Sequence, residues 1–517
     1  MPPQALAAVA TLLSFAAQGN RIEFKLDHGS AELTWVSDST FRFRRSLDGA
    51  LPTAEWNPPN AVAVKIDDLP GAVRLRSKRI EVSIQKRGLL VSVNGPDGQP
   101  VMTDVSEPRA AQDGVEWERA MPAGVRYYGS DARKGMDYDR RGGTADHAEP
   151  FLLSTAGYGE YHVPDGSDLS FDFTAADRYR IHAPRVDYFF YYGPTPKRIF
   201  EERHGALEGS GGAVLIDMGS VRRGFVDTPV GAAFDAESRW GWQSLPEILL
   251  DFTHGAMANA SVGYFDLDDW AKMSPDLLQR ARQIGSLVPD VKHGAVELSD
   301  FRKQLETFFA SYGPETRDKG YPLWHPLPFE FPDDPECAHH ADEFMLGDEM
   351  LIAPIYDATG KRSLYLPQGT WTNLETNGVE QGRRTIAAES KGLPVFARNG
   401  AIVPLDSKGA MALHYFPSLG AEFFLLESAV ADWSQVHAAP AGDILRLEIE
   451  SKVERDYQWV VHHVERPAEV GFEERKYGEV DAPAALSDGT WFYDAAQKNL
   501  HVRVRVAAGE DCVIHVR

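Results

Sequence analysis

The sequence predicts a multidomain α+β protein in which an N-terminal antiparallel β-sandwich, a shortened (β/α) barrel-like region and C-terminal β-sandwich domains follow one another. Its 517 residues are enough for three or four domains of about 150 residues each. Short runs that alternate polar and apolar residues fill the first and last parts of the chain, as in antiparallel strands. Between them, apolar strands alternate with helical segments, which favours parallel strands.

The composition narrows the class of protein. Hydrophobic residues make up 43% and charged residues 25%, as in ordinary soluble globular proteins. The 53 Lys and Arg against 76 Asp and Glu give a net charge of −23, so neither nucleic acid nor an anionic membrane is expected as a partner. Two cysteines, Cys337 and Cys512, are too few for a disulfide scaffold or a structural zinc site.

Residues 1–20 have features of a signal peptide. Ala5–Ala17 is an apolar run with the length of a signal-peptide core and is too short to span a bilayer. The preceding residues Met1–Gln4 contain no Lys or Arg, which speaks against this interpretation. Export to the periplasm or medium therefore stays open as a prediction.

Residues 21–207 form the predicted N-terminal β-sandwich of two sheets. Alternating runs are separated by turn residues such as Asn94–Gly98, and Tyr188–Tyr192 forms the last strand. Lys197–Leu207 has helical spacing and ends the domain.

Residues 208–356 are predicted to be a partial (β/α)8-barrel region, joined to the sandwich by a short glycine-rich linker. Its predicted strands are Ala213–Asp217 and Val262–Asp266. The predicted helices are Ser244 to about Met257, Asp276–Ile284 and Ser299–Tyr312. Period-two alternation returns from Arg362, which predicts a proximal C-terminal β domain at 357–430 and a distal one at 431–517.

Three aspartates, Asp217, Asp235 and Asp266, lie at or near the ends of presumed strands. Parallel barrels present their functional side chains there, and glycoside hydrolysis requires paired carboxylates. His293 has the chemistry to bond a sugar hydroxyl. The alternative for each is a solvated loop carboxylate or a structural histidine.

Five segments of the chain resemble motifs of glycoside hydrolase family 31, the α-glucosidase and α-xylosidase family. Their agreement in this order along the chain makes an accidental match implausible. They are PFLLS at Pro150–Ser154, YFFYYGPTPK at Tyr188–Lys197, FEFPDDP at Phe329–Pro335, FMLGDEMLIAP at Phe344–Pro354 and PVFARNGAIVP at Pro394–Pro404.

The resemblance implies roles for four residues. Asp235 keeps the five-residue spacing to Trp240 that the family's acid/base aspartate has to its Trp, which makes Asp235 the acid/base candidate and Trp240 a substrate-binding candidate. Asp266 resembles the aspartate that bonds the −1 sugar, although both neighbouring glycines are replaced. His293 corresponds to the pocket histidine, with Lys292 in place of the family's arginine.

The nucleophile is less well matched. Asp217–Met218 is similar to part of the family's nucleophile motif, but its position equally suits a strand where the family has arginine, so Asp217 has two interpretations. Gly212–Tyr356 is 145 residues, whereas a complete barrel needs about 200 to 250. The front half of the barrel is therefore predicted to be absent.

The implied function is retaining hydrolysis of α-glycosidic bonds in an oligo- or disaccharide, of α-glucosidase or α-xylosidase type, without a metal or organic cofactor. The alternative is a catalytically inactive relative that binds carbohydrate or a partner protein. An incomplete barrel would also leave strand edges open, which predicts a homo-oligomer that covers them.

Overall fold

The computed structural model is a multidomain, mostly β protein with few helices, as the sequence predicts. No described helix is both long and apolar enough to cross a membrane. Both cysteines are unpaired. The structure describes residues 9–52, 58, 60–130, 135–146, 150–164, 168–209, 241–258, 265–289, 291–407, 409–427, 432–472 and 475–517.

The N-terminal part of the chain folds into eighteen described strands followed by helix α1 (Pro196–Gly209), which contains the predicted helix. Residues 12–18, which lie within the stretch with signal-peptide features, form the first strand, and the export prediction stays a prediction. The strands are β1 (Leu12–Gln18), β2 (Arg21–Leu26), β3 (Ser30–Trp35), β4 (Thr40–Ser46), β5 (Lys65–Asp68), β6 (Ala72–Arg76), β7 (Glu81–Gln85), β8 (Val91–Asn94), β9 (Pro100–Thr103), β10 (Arg109–Ala111), β11 (Gly114–Ala120), β12 (Tyr127–Gly129), β13 (Thr144–Ala145), β14 (Phe151–Ser154), β15 (Tyr158–His162), β16 (Ser170–Asp172), β17 (Arg178–Ala183) and β18 (Val186–Tyr192).

These strands form one large sheet and two smaller ones. The large sheet has the order β1-β2-β3-β4-β18-β15-β14-β12, and the smaller ones have the orders β5-β6-β7-β8-β9 and β10-β11-β17-β16-β13. All three contribute to one hydrophobic core, and an isolated bridge between Asp104 and Arg119 joins the smaller sheets. The second layer therefore consists of two sheets, where the sequence predicts one.

Strand β18 explains the aromatic run near the end of the sandwich. Tyr188 and Phe190 face the core between the layers, while Phe189 and Tyr191 face the opposite side, where Phe200 of α1 packs. Because both faces of this central strand are covered, it reads as continuously apolar and not as alternating.

The middle of the chain contains most of the helices. They are α2 (Ser244–Met257), α3 (Pro275–Gly285), α4 (Asp300–Gln304), α5 (Glu306–Lys319) and α6 (Leu327–Glu330), with strands β19 (Phe265–Asp266), β20 (Val291–Lys292) and β21 (Trp324–Pro326) between them. Helix α2 has the predicted limits, and α3 extends the predicted helix by one residue at each end. The predicted helix Ser299–Tyr312 is instead two helices that meet at Leu305 and continue beyond Pro314.

Of the two predicted strands in this region, Ala213–Asp217 and the first residues of Val262–Asp266 lie outside the described residues. Between residues 241 and 326, apart from 259–264 and 290, one parallel strand pair occurs, β19 with β20.

The remaining strands form two C-terminal groups. Strand β21 begins a six-stranded sheet of order β21-β22-β23-β28-β25-β26, beside the pair β24-β27. The strands that follow β21 are β22 (Phe344–Leu346), β23 (Met350–Ile352), β24 (Lys361–Leu366), β25 (Thr370–Asn373), β26 (Val379–Gln381), β27 (Arg384–Glu389), β28 (Val395–Arg398), β29 (Ile402–Ser407), β30 (Ala410–Tyr415), β31 (Ala421–Leu426), β32 (Trp433–Ala441), β33 (Ile444–Glu450), β34 (Arg455–Val461), β35 (Val470–Phe472), β36 (Arg475–Lys476), β37 (Gly478–Glu479), β38 (Thr490–Asp494), β39 (Asn499–Val506) and β40 (Asp511–Val516).

The last two sheets have the orders β29-β30-β34-β39-β38-β37 and β31-β32-β33-β40-β35-β36. Strands β29 to β31 precede residue 430, yet they pair with strands that follow it, and β30 lies parallel to β34. A boundary between 430 and 431 therefore cuts through both sheets, because strand pairing over long sequence separation does not show in the local pattern. A boundary between β28 and β29 leaves both sheets whole.

Candidate active site

Asp266 and His293 lie at the carboxyl ends of two neighbouring parallel strands. Strands β19 and β20 pair in parallel, with Asp266 opposite Lys292, and helix α3 lies between them in the chain. His293 directly follows β20. Parallel β/α units present functional side chains at this end of their strands, so the structure brings two sequence-predicted residues to one edge.

The Asp266 carboxylate is held by two hydrogen bonds. Its Oδ1 accepts from the Asp268 backbone N–H at 2.9 Å, and its Oδ2 accepts from Lys292 Nζ at 2.7 Å. The Asp266 side chain is 14% exposed and that of Lys292 is 60% exposed. The hydrogen bond and the charge of Asp266 raise the pKa of Lys292, so the ammonium stays protonated.

A second carboxylate completes this group. Asp268 Oδ2 lies 3.5 Å from Lys292 Nζ, so one ammonium faces two carboxylates. Gly294 has a φ of +43°, and a Cβ there would lie 2.2 Å from Asp268 Oδ1. A glycine at this position lets the two loops approach closely.

The His293 ring is oriented by its own loop. Its Nδ1 lies 3.0 Å from the Val296 carbonyl oxygen, which can only accept a hydrogen bond. Nδ1 therefore carries the proton, and in the neutral ring Nε2 is a hydrogen-bond acceptor. The half-buried His293 ring makes no hydrogen bond through Nε2 to any described residue. The arrangement offers a carboxylate, an ammonium and an imidazole nitrogen to a polyhydroxylated ligand.

Asp217, Asp235 and Trp240 lie outside the described residues. Their predicted roles as nucleophile, acid/base and substrate contact stay predictions. The ionic contact of Lys292 with Asp266 and Asp268 was not predicted, although the replacement of the family's arginine and glycine by Lys292 and Asp268 was the signal for it.

A partly buried polar cluster that the sequence analysis missed lies where α1, β21, α6 and the β22–β23 turn meet. We call Lys197, His325, Glu330 and Asp348 the junction cluster. Lys197 Nζ lies 2.6 Å from Glu330 Oε1 and 2.8 Å from Asp348 Oδ1, and His325 Nδ1 lies 2.7 Å from Glu330 Oε1. The His325 side chain is 1% exposed.

The carboxylates of the junction cluster set the charge of its histidine. Burial alone would lower the pKa of His325, but the contacts with Asp348 and Glu330 raise it to about 9. Burial raises the pKa of the adjacent Glu349 to about 8, with a further contribution from the charge of Asp348. Glu349 accepts a hydrogen bond from Tyr312 Oη at 2.6 Å.

Two groups of described side chains have the types and proximity for a metal ion: His325 with Glu330 and Asp348, and His340 with Asp342 and Glu343. Each already contains a protein cation. Lys197 contacts both carboxylates of the first group, and Arg362 Nη2 lies 2.8 Å from Asp342 and 3.0 Å from Glu343 in the second. We therefore assign no metal to either group.

Comparison with known proteins agrees with the sequence motifs. The family description "Glycosyl hydrolase family 31 C-terminal domain" matches residues 320–403. An α-glucosidase of Saccharolobus solfataricus is 32% identical over 120 residues, which are 23% of this chain and 17% of the relative. Alpha-glucosidase 2 of Bacillus thermoamyloliquefaciens is 33% identical over 159 residues, which are 28% of this chain and 19% of the relative. The alignments thus span about a fifth of these curated relatives.

The fold is similar to that of a family 31 dextranase of Flavobacterium johnsoniae solved with glucose. The superposition covers 99% of this chain and 100% of the dextranase, with a TM-score of 0.79 at 13% identity. At that identity the likeness concerns the fold alone. The matched C-terminal region, the curated relatives and the fold are thus all similar to proteins of glycoside hydrolase family 31.

Proposed function

We propose that the chain hydrolyses α-glycosidic bonds of a gluco- or xylo-oligosaccharide with retention of configuration. The observation that carries this proposal is the placement of Asp266 and His293 at the carboxyl ends of adjacent parallel strands. The α-glucosidase relatives and the dextranase-like fold support the choice of an α-linked substrate.

In this proposal Asp266 and the acceptor nitrogen of His293 bind hydroxyl groups of the sugar at the point of cleavage, and Trp240 packs against it. Asp235 protonates the leaving oxygen and then deprotonates the attacking water. Asp217 is the candidate nucleophile, and retention requires its carboxyl group to lie about 5 to 5.5 Å from that of Asp235. No metal or organic cofactor takes part in such a mechanism.

We further propose that residues 208–356 form an incomplete barrel and that a homo-oligomer covers its open edge. The short interval between α1 and β21 supports this proposal. The N-terminal sandwich at 21–207 is the preceding domain. We place the proximal C-terminal domain up to β28 and the distal one from β29 onward, so that both distal sheets stay whole.

The test is turnover of 4-nitrophenyl α-glucoside, 4-nitrophenyl α-xyloside and isomaltotriose by the full chain. We expect Asp235→Asn to lower kcat at least 100-fold, because general acid catalysis contributes about 10² to 10⁴. Asp266→Asn should lower kcat/KM, while Asp318→Asn, at an exposed site on α5, should match the wild type. Proton NMR should show the α-anomer as the first product.

Two results would overturn the proposal. Turnover that survives Asp235→Asn would remove the assigned acid/base residue. A wild-type chain that turns over none of the three substrates, yet melts at a higher temperature with isomaltotriose, would be the inactive carbohydrate-binding relative.

A further inference from the structure

The N-terminal sandwich contains a cleft of about 700 Å³ at the end of β4. Its walls come from the end of β4 and the following loop, from β10 and the start of β11, and from the turn before β18. Of the candidate active-site residues that the structure describes, neither Asp266 nor His293 lines it. The volume lies within the range of about 300 to 1,000 Å³ that is typical of ligand pockets.

One wall of the cleft carries more hydrogen-bond donors than acceptors. Arg42 Nε and Nη2 each lie 2.8 Å from an oxygen of the buried Asp187. Arg185 Nε lies 3.4 Å and Arg44 Nε 3.9 Å from the same carboxylate. A guanidinium has five N–H donors, whereas a carboxylate has about four acceptor positions. Arg42 Nη1 accordingly makes no hydrogen bond to any described residue.

Arg42, Arg44 and Arg185 each lie near a carboxylate, although they share Asp187. Asp187 pairs with Arg42, and Arg44 Nη1 lies 3.6 Å from Glu32. The chain as a whole has a net charge of −23, which disfavours a free anion. The wall therefore suits a neutral ligand that is rich in acceptor oxygens.

Part of the cleft lining is apolar. It includes Leu51, Pro52, Pro184 and Val115. Sugar hydroxyls can accept hydrogen bonds from the guanidinium groups, while the C–H faces of sugar rings pack on aliphatic side chains. A neutral oligosaccharide matches both the polar and the apolar part of the lining, because it carries acceptor oxygens and apolar faces in one molecule.

We propose that this cleft is a non-catalytic binding site for a neutral oligosaccharide, with Arg42 as its principal donor. The choice of an α-linked glucose oligosaccharide as the occupant rests on the proposed function. The cleft would hold a substrate chain on the sandwich without taking part in bond cleavage.

The test is calorimetric titration of isomaltotriose into wild type and variants of the full chain. Ala110→Trp adds bulk to the cleft from an exposed position on β10 and leaves the Arg42–Asp187 contact intact. We expect it to weaken the cleft site at least tenfold without changing hydrolysis of 4-nitrophenyl α-glucoside. Ala176→Trp, exposed on the same domain but outside the cleft, is the matched control and should bind as the wild type does.

Two further variants test the role of Arg42 and the independence of the cleft from the candidate active site. Arg42→Lys retains the charge but loses the planar two-pronged contact, and should also weaken binding at least tenfold. Asp266→Asn should retain the cleft site. The proposal fails if Ala110→Trp and Arg42→Lys bind like the wild type, or if Asp266→Asn abolishes all binding.

Two additional measurements test the chemical class of the ligand and distinguish failure of the cleft proposal from failure of the proposed function. Inorganic phosphate or a glucuronic acid oligomer that binds more tightly than isomaltotriose would overturn the neutral ligand. Binding that depends on Ala110 in a chain without hydrolytic activity would support the cleft while removing the proposed function.

Discussion

The Lys292 contact at the candidate active site and the junction cluster differ in solvent exposure. Lys292 is 60% exposed and touches two carboxylates on neighbouring loops, whereas His325 of the junction cluster is 1% exposed. An exposed ion pair contributes little to stability, while removal of one partner from a buried group leaves an uncompensated charge. The comparison teaches that the exposed charge of Lys292 contributes little to stability, whereas the buried charges at the domain junction contribute more.

The largest expected change in stability follows from a substitution in the junction cluster. Lys197→Met should lower the free energy of unfolding by about 3 kcal/mol, because it leaves the buried carboxylate of Glu330 without its ammonium partner. Urea denaturation monitored by tryptophan fluorescence measures it. Lys292→Met is the matched lysine control. Equal midpoints for the two variants would contradict the comparison.

The second prediction concerns alkaline pH. His325 has a raised pKa of about 9 in the folded chain against about 6.5 when unfolded, so its contribution is complete below pH 6.5 and is lost as pH rises through 9. Glu349, raised to about 8, loses its contribution in the same direction between pH 4.5 and 8. We expect His325 to account for a loss on the order of 3 kcal/mol between pH 6.5 and 9.5.

Denaturation at a series of pH values checks this expectation. The His325→Gln variant should show a flatter profile between pH 7 and 9.5, because its side chain does not titrate there. A wild-type chain whose unfolding free energy stays constant or rises over that interval would show that His325 is neutral in the fold.

A smaller effect is expected at the edge of the junction cluster. Tyr312→Phe should cost about 2 kcal/mol, because the hydroxyl both donates to Glu349 and accepts from the Asp348 backbone N–H at 2.9 Å. The change in melting temperature measures it. Tyr493→Phe, which removes a hydrogen bond to the Val464 carbonyl in the distal domain, is a control of the same chemistry. A change at Tyr312 no larger than that at Tyr493 would remove the distinction.

The smallest effect on stability is expected at the candidate active site. Lys292→Met should leave the urea midpoint unchanged, because the ammonium is well exposed. It should still lower kcat/KM for an aryl α-glycoside, because Asp266 loses the partner that orients it. Lys292→Arg should restore part of that loss. A fall in stability without a change in kinetics would reverse the comparison.

The sequence predicted those features of the fold that depend on the local residue pattern. Helix α2 has the predicted limits, and Asp266 lies at the predicted strand end, because periodicity and strand ends are local features. The continuation of α5 through Gly313 and Pro314 was not predicted, since this pair usually stops a helix.

The sequence analysis mainly missed contacts between residues that are far apart in the chain. Lys197 and His325 are far apart in sequence, and no local pattern indicates that both contact Glu330. The same reason explains why the division at residue 430 missed the pairing of β30 with β34. Asp217, Asp235 and Trp240 remain predictions, since they lie outside the described residues.

The pairing of β29 to β31 with later strands has a practical consequence for dissecting the gene. A fragment that starts at residue 431 would lack three strands and would leave the edges of β34 and β32 without their neighbours. Such a fragment should aggregate on expression. A fragment that begins just before β29 carries all the strands of both sheets, but it exposes Phe423, on which Phe308 and Tyr312 of α5 pack.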